Sequence, residues 1–270
     1  MHPMLNIAVR AARRAGTIIV RGQARLYEVK VSKKGPQDYV TQVDKDAEAA
    51  IIETLRTAYP DHAVLAEESG GSGESDYEWI IDPLDGTLNF MHGYPQYAVS
   101  IALAVKGRVE QGVVYDPLRD ELFTATRGEG AQLNGHRLRV SRTPHLEDAL
   151  LATGFPVRRK AEVKPFVASF SAVLERCADV RRAGAAALDL AHVACGRLDG
   201  YWEFGLKPWD IAAGGLIVQE AGGLIGDADG SENHLERGDI VAANPKIFRQ
   251  LLVILARREG GRAAAALDAR

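Results

Sequence analysis

A layered α/β fold is predicted for this chain of 270 residues, and three features of its patterning predict it. Two amphipathic helical stretches open the sequence. From Tyr97 to Val140 short apolar runs follow one another with turn residues between them, the pattern of a strand meander. From Leu150 onward strand-like pieces alternate with helical ones, the rhythm of a second α/β layer.

Leu5, Ala8, Val9, Ala12, Ala15 and Ile19 recur at helical spacing against Arg10, Arg13 and Arg14, so the first helix buries one face. A basic amphipathic start can also be a transit peptide, but no cleavage-like break follows it. Leu26 to Val31 alternates as a strand, and Lys33-Lys34-Gly35-Pro36 reads as a polar loop. Thr41 to Asp44 opens a second helix with Ala47, Ile51, Ile52 and Leu55 on one face and Pro60 past its end. A short strand from Ala63 to Ala66 runs into Glu67-Glu68, and Gly70 to Gly73 is a flexible connection. The Trp79-Ile80-Ile81 strand stops at Asp82, because Pro83 cannot donate to a ladder. Turns in the meander fall at Gly107, Asp116-Pro117, Gly128 to Gly130 and Asn134-Gly135, the last a hairpin signal. Beyond it come strands at Leu150–Thr153, Val180–Arg182, Gly200–Glu203, Leu224–Asp227 and Ile240–Ala243. Helices interleave near Pro165–Cys177, Ala186–Cys195, Trp209–Ala221 and Lys246–Arg257. The reading is a lobe over 1–145 with a helix pair and antiparallel sheet, an α/β lobe over 146–257, and an Ala-rich tail over 258–270. The two lobes make one catalytic unit.

Composition excludes several classes. With 46% hydrophobic and 26% charged residues and a net charge of −3, no global field draws the chain to nucleic acid or membrane. No apolar run reaches a membrane span. Cys177 and Cys195 form no Cys-x-x-Cys pair, which argues against a zinc site or a disulfide framework and suits a reducing cytoplasm.

The chemistry concentrates in Asp82-Pro83-Leu84-Asp85-Gly86-Thr87. Two carboxylates sit on one tight turn at a strand end, beside a Gly that lets backbone approach a ligand and a hydroxyl that can hold a water. Hard divalent cations take oxygen ligands, and Mg²⁺ is usually held by few carboxylates plus substrate phosphate. Backbone N–H groups in such a turn welcome an anion. Metal-assisted attack on phosphate is the chemistry suggested. Asp-Pro and Asp-Gly are also ordinary turn pairs, and Asp116-Pro117-Leu118-Arg119-Asp120 is a control within the same chain that lacks the Gly-Thr. Glu67 ends a strand, and Asp210 opens a helix where an N-cap is its plain alternative. Asp44 is equally a first-turn acid favoured by the helix dipole. The set, rather than any member, points to a site. Asp227-Ala228-Asp229-Gly230 lacks calcium-loop spacing and reads as a turn. His192 reads as a core or surface histidine, and Ser72 as a loop serine.

Ala66-Glu67-Glu68-Ser69, the Asp82–Thr87 run, and Pro208-Trp209-Asp210 with Gly222-Gly223 resemble the motifs of the inositol monophosphatase family, lithium-sensitive Mg²⁺-dependent phosphatases related in fold to fructose-1,6-bisphosphatase. The start of the chain and the run Tyr115 to Gly135 are similar to the bacterial SuhB subgroup of that family. The resemblance implies an αβαβα sandwich. It implies a first Mg²⁺ on Glu67, Asp82 and the Leu84 carbonyl, a second on Asp82, Asp85 and Asp210, and a weaker third on Glu67. Two metals about 3.5–4 Å apart clamp the attacking and leaving oxygens of an in-line displacement. Water activated there would be oriented by Glu67 and by Thr87, with Asp44 behind Thr87. Gly86 and Thr87 N–H groups would receive phosphate. Asp85, Ala186 backbone and Glu203 would contact the sugar alcohol, and Lys33 would support the metal site indirectly.

Two departures stand out. Leu88 replaces a second Thr, and Ala185 replaces a Ser or Thr whose hydroxyl serves the polyol contact. The substrate implied is a myo-inositol monophosphate. Same-fold alternatives are fructose bisphosphate, a nucleotide or histidinol phosphate. Glu203 favours hydroxyls over a second phosphate, which convergent Arg or Lys would bind instead. The resemblance further implies a cytoplasmic homodimer and, in the SuhB subgroup, contacts with the transcription antitermination machinery, for which Arg181 and Arg182 are candidate surface residues.

Overall fold

The computed structural model describes residues 2–35, 38–157 and 159–256, with only the backbone at Lys34 and Asp38. The Ala-rich tail and Arg257 lie outside the described residues.

Helix α1 (Pro3–Gln23) buries Leu5, Ala8, Ala12, Ala15 and Ile19 and exposes its arginines. The predicted strand at Leu26 is instead a 3₁₀ turn, Leu26–Glu28, with Val29 N donating to Leu26 O at 3.2 Å. Among the described residues no strand pairs with this segment, so its N–H groups pair locally. The predicted polar loop pairs as well. Strand β1 (Val31–Gly35) forms an antiparallel hairpin with β2 (Asp38–Thr41). Helix α2 (Gln42–Ala58) begins on a capping box between Thr41 and Asp44.

Strand β3 (Ala63–Ala66) lies beside β4 (Gly70–Ser72), so the glycine connection is a paired edge strand. Exposed Ser72 accepts from Arg56 Nη2 at 2.8 Å. Strand β5 (Tyr77–Asp85) passes through Pro83 instead of ending before it. The ladder runs Asp82↔Ser100 and then Asp85↔Ala98, three steps against two, so Pro83 and Leu84 sit in a bulge where no donor is required. Helix α3 (Thr87–Met91) leads to β6 (Ala98–Val105), β7 (Arg108–Asp116), β8 (Glu121–Thr126), β9 (Gly130–Leu133) and β10 (His136–Arg137). Asn134 and Gly135 turn the last hairpin with φ of 48° and 83°.

Strand β11 (Leu150–Thr153) and helix α4 (Val163–Leu174) open the second half. They are followed by β12 (Asp179–Arg181), α5 (Ala186–Ala194), β13 (Gly200–Glu203), α6 (Pro208–Glu220), β14 (Leu224–Gly226), α7 (His234–Arg237), β15 (Ile240–Ala243) and α8 (Pro245–Leu255). The Asp227–Gly230 segment is a turn, closed by Gly230 N to Asp227 O at 2.9 Å.

The large sheet has the order β10-β9-β8-β7-β6-β5-β3-β4, parallel only between β3 and β5. The smaller has the order β12-β11-β13-β15-β14. Strand alternation assigns each face to a core. Trp79, Ile81, Val99 and Ile101 pack with α1 and α2, whereas Ile80, Ala98, Ala102 and Tyr201 pack with α5 and α6 between the sheets. Trp202, Val241 and Leu251 close the outer face beneath α4 and α8. The layers are therefore helix, sheet, helix, sheet, helix, as expected. Among the described residues no helix is long and apolar enough to cross a membrane.

Candidate active site

The bulge in β5 builds the site. Residues three apart on a regular strand face opposite ways. The extra residue resets the alternation, so Ile81 and Leu84 both enter the α1/α2 core while Asp82 and Asp85 both turn toward α5 and α6. Asp82 Oδ1 accepts from Leu84 N at 2.9 Å. Asp85 Oδ2 accepts from Ala187 N at 2.7 Å and so caps α5 from another element. Helix α5 has no capping side chain of its own, because Ala185 stands at its N-cap. The missing hydroxyl is thus covered at this end of the helix by Asp85.

Glu67 is brought in by β3, its N–H donating to Ile81 O at 3.1 Å, and Glu48 Oε2 anchors the next residue by accepting from Glu68 N at 2.9 Å. Asp210 is not the N-cap of α6. It is the third helical residue and reaches back to Lys207 N at 2.7 Å. The structural and the functional readings coexist there, because a carboxylate has a second oxygen.

Burial pushes the Asp82 carboxyl well above its ordinary value, and Glu67, Asp85 and Asp210 push it the same way. Asp85 is raised by burial and then by Asp210. The charges acting most strongly on Asp82 are thus all acidic. Buried charge of one sign calls for a cation, and an all-oxygen donor set suits a hard one. Among the described residues no three His, Cys, Asp or Glu side chains form a ready metal cage, so the fit is one of charge and donor chemistry rather than of closed coordination.

Gly86 adopts φ +95°, and a Cβ there would lie 2.8 Å from Gln96 O, so only glycine fits the turn between Asp85 and α3. Thr87 Oγ1 donates to Asp44 Oδ1 at 2.8 Å, with Leu84 O farther at 3.2 Å. Asp44 is fully buried and also accepts from Thr41 N at 2.9 Å and Thr41 Oγ1 at 2.5 Å. Burial raises its carboxyl above the ordinary value against these hydrogen bonds. By contrast, Asp116 in the control turn spends its oxygens on Leu118 N, Arg119 N and the Arg119 guanidinium, as a structural turn should.

Residues 1–260 match the model of the inositol monophosphatase family. The chain belongs to that family. It is 54% identical over 254 residues to the Nus factor SuhB of Escherichia coli K12, which spans 93% of this chain and 95% of that one. The structure of the extragenic suppressor protein suhB from Bartonella henselae superposes with a TM-score of 0.92 at 44% identity, covering 94% and 98% of the two chains. An inositol monophosphatase from Anabaena gives 0.84 at 42% identity, covering 94% and 95%. A phosphatase of this family is the activity these likenesses support.

Glu203 ends β13, where Tyr201 OH donates to its Oε2 at 2.5 Å. Sequence reasoning missed the residues that frame it. A Cβ on Gly154 would stand 1.9 Å from the Glu203 carboxylate, so Gly154 is the floor beneath it. Parallel pairing of Thr153 with Trp202 sets that neighbourhood, and a Gly after a strand was its only trace in the sequence. Asn89 was missed too. Its Nδ2 lies 2.7 Å from Gln96 O and 2.9 Å from Ala183 O, tying α3 to the loop before α5. Ala186 is the first residue of α5, next to the N–H held by Asp85. The Lys33 ammonium lies 5.6 Å from the Tyr39 ring centre. His192 packs edge-on to Phe123 with a buried Nε2 that has no hydrogen-bond partner among the described residues, and burial pulls it down to about 4.

Proposed function

We propose that this chain is a Mg²⁺-dependent, lithium-inhibited phosphomonoesterase that hydrolyses myo-inositol monophosphates to inositol and phosphate. The observation that carries the reading is the Asp82–Asp85 pair, raised by burial and then by the neighbouring acids, Asp210 acting on both, beside a Thr87 hydroxyl committed to Asp44. Glu67, Asp82, the Leu84 carbonyl, Asp85 and Asp210 would hold Mg²⁺, two or three ions, whose positive charge neutralises phosphate and the developing charge of in-line displacement.

The residues do the rest. A hydroxyl has one proton, and Thr87 gives it to Asp44. Its oxygen therefore accepts from a water and, with Glu67, aims that water's lone pair at phosphorus. The turn N–H groups of Gly86 and Thr87 receive phosphate oxygens. Glu203, held by Tyr201, accepts from ring hydroxyls together with Asp85 and the Ala186 backbone. Lys33 is retained as an indirect support. The lobes 1–145 and 146–257 work as one unit, since Asp210 and Glu203 act on Asp85 across them.

Phosphate release from inositol 1-phosphate should require Mg²⁺, stop with EDTA, and fall with millimolar lithium. Fructose 1,6-bisphosphate should be a poor substrate. Comparable kcat/KM for the two would overturn the substrate assignment, and turnover in EDTA would overturn the metal.

A second role is favoured by the 54% identity to a protein named as a Nus factor. Arg181 is engaged by Asp179 at 2.5 Å, whereas exposed Arg182 lies 5.2 Å over Phe155. We propose that a cytoplasmic homodimer also contacts the transcription antitermination machinery through this surface. Pull-down from bacterial lysate at low salt should recover antitermination factors or RNA polymerase, and their absence would sink the role. A monomeric mass by light scattering at micromolar protein would overturn the dimer.

A further inference from the structure

One buried acid near the site has no task in the mechanism above. Asp189 sits in the first turn of α5, only 2% exposed, and its side chain makes no hydrogen bond among the described residues. Buried polar groups are nearly always hydrogen-bonded, and an ionisable one without a partner is costly to keep. The amino end of a helix favours an acid, but the nearby N–H of Ala187 is already given to Asp85.

Asp189 lies two residues beyond Ala187, whose N–H donates to Asp85, so the first turn of α5 carries it beside the site. It acts on Asp85 and on the Tyr201 hydroxyl, while Glu203 and then Arg182 act on it. These lie about one corner of the site, where the Glu203 carboxylate rests over Gly154 and Arg182 covers Phe155. The Tyr201 hydroxyl cannot satisfy Asp189, because its single proton goes to Glu203 Oε2. What this corner offers a ligand is therefore acceptor oxygen on two elements, α5 and β13. A ring carrying several hydroxyls supplies donors for both acids, with the Arg182 guanidinium the cation that acts on Asp189.

We propose that Asp189 is a specificity-determining residue of the substrate pocket, a second hydroxyl acceptor beside Glu203, so that the pocket reads two hydroxyls of a polyhydroxylated ring. This rests on the polyol reading of the site. It extends that reading from one acid on the sheet to a pair spanning sheet and helix, and it explains why an acid is kept inside a helix whose other residues, His192 apart, are apolar.

The test compares two esters, inositol 1-phosphate and the hydroxyl-free p-nitrophenyl phosphate, on wild type, Asp189→Leu and Asp189→Asn with saturating Mg²⁺. Asp189→Leu should raise KM for inositol 1-phosphate at least tenfold. Its kcat, its turnover of the aryl ester and its half-saturation by Mg²⁺ should stay within twofold. Asp189→Asn, which keeps one acceptor oxygen, should recover part of the KM. The melting temperature of the Leu variant should not fall, because an unpartnered buried acid is replaced by an apolar side chain of similar size. An equal loss on both esters, or a shifted Mg²⁺ half-saturation, would place Asp189 with the metal carboxylates and overturn the proposal, as would an unchanged KM. A wild type that shows no preference for the polyol ester would overturn the substrate reading and this assignment together. Preference retained in both variants would overturn this assignment alone.

Discussion

Asp82→Asn is expected to lower kcat/KM about a thousandfold while making the metal-free protein harder to melt. The first effect follows because an amide replaces the most buried carboxylate of the cluster, and preorganised charge at a phosphoryl site is worth roughly 3–4 kcal/mol. The second follows from linkage. Burial, then Glu67, Asp85 and Asp210, raise the folded-state value of Asp82 above 3.8. Its contribution to folding is thus fully present below 3.8 and is lost as pH rises through the raised value. At pH 7.5 without metal, the raised carboxyl costs the wild type stability that the variant keeps, a difference of about 2 kcal/mol or roughly 4 °C.

The gap should narrow as pH is lowered from the raised value toward 3.8. His192, pulled down to about 4, loses stability on acidification in part of the same window, but it is common to both proteins and cancels in the difference. Glu121, lowered by Arg197, acts only below 4.5. Saturating Mg²⁺ should reverse the order, since only the wild type gains fully from binding. The check is thermal melting of both proteins in EDTA and in Mg²⁺ across pH 5 to 8. A variant that melts below wild type in EDTA at pH 7.5 would refute the charge account of this cluster.

The same carboxylates show what was legible in the sequence. Every strand with strong apolar patterning between Ala63 and Ala66, Leu150 and Thr153, Gly200 and Glu203, and Ile240 and Ala243 was read to the residue. In those segments burial on both faces and local propensity agree. The misreadings at Leu26 and Gly70 come from pairing, which sequence does not display. Leu26–Glu28 has no strand beside it, whereas the weak Gly70–Ser72 segment does.

Pro83 was the instructive error. Its missing N–H was rightly noticed, but the chain uses the defect as a bulge, and the bulge is what brings Asp82 and Asp85 to one face. The spacing Asp-x-x-Asp thus suggested a chemistry without showing the geometry that brings the two acids together. Gly154, Asn89 and Asp189 were not legible, because each matters through a partner or pocket wall far along the chain. Gly154 meets Glu203 only because β11 lies beside β13.

Thr87→Val and Asp44→Asn are expected to act as one lesion in catalysis and as two in stability. If Asp44 serves the reaction only by taking the Thr87 proton, either change leaves the attacking water without its acceptor. Each should lower kcat about a hundredfold to a thousandfold with little change in KM. The double variant should then be no worse than the poorer single. Stability separates them. Thr87→Val loses one hydrogen bond, about 1 kcal/mol. Asp44→Asn also turns an amide donor toward either Thr41 or Thr87, where Asp44 accepted from Thr41 N, Thr41 Oγ1 and Thr87 Oγ1. An amide nitrogen facing Thr41 breaks the capping box of α2, and one facing Thr87 reverses that bond instead, so about 1–3 kcal/mol is expected. Kinetics on both singles and the double, with melts of each, form a closed cycle. Losses in kcat that multiply would mean that Asp44 and Thr87 work separately, and the orientation of water by a hydroxyl locked to a buried acid would have to be given up.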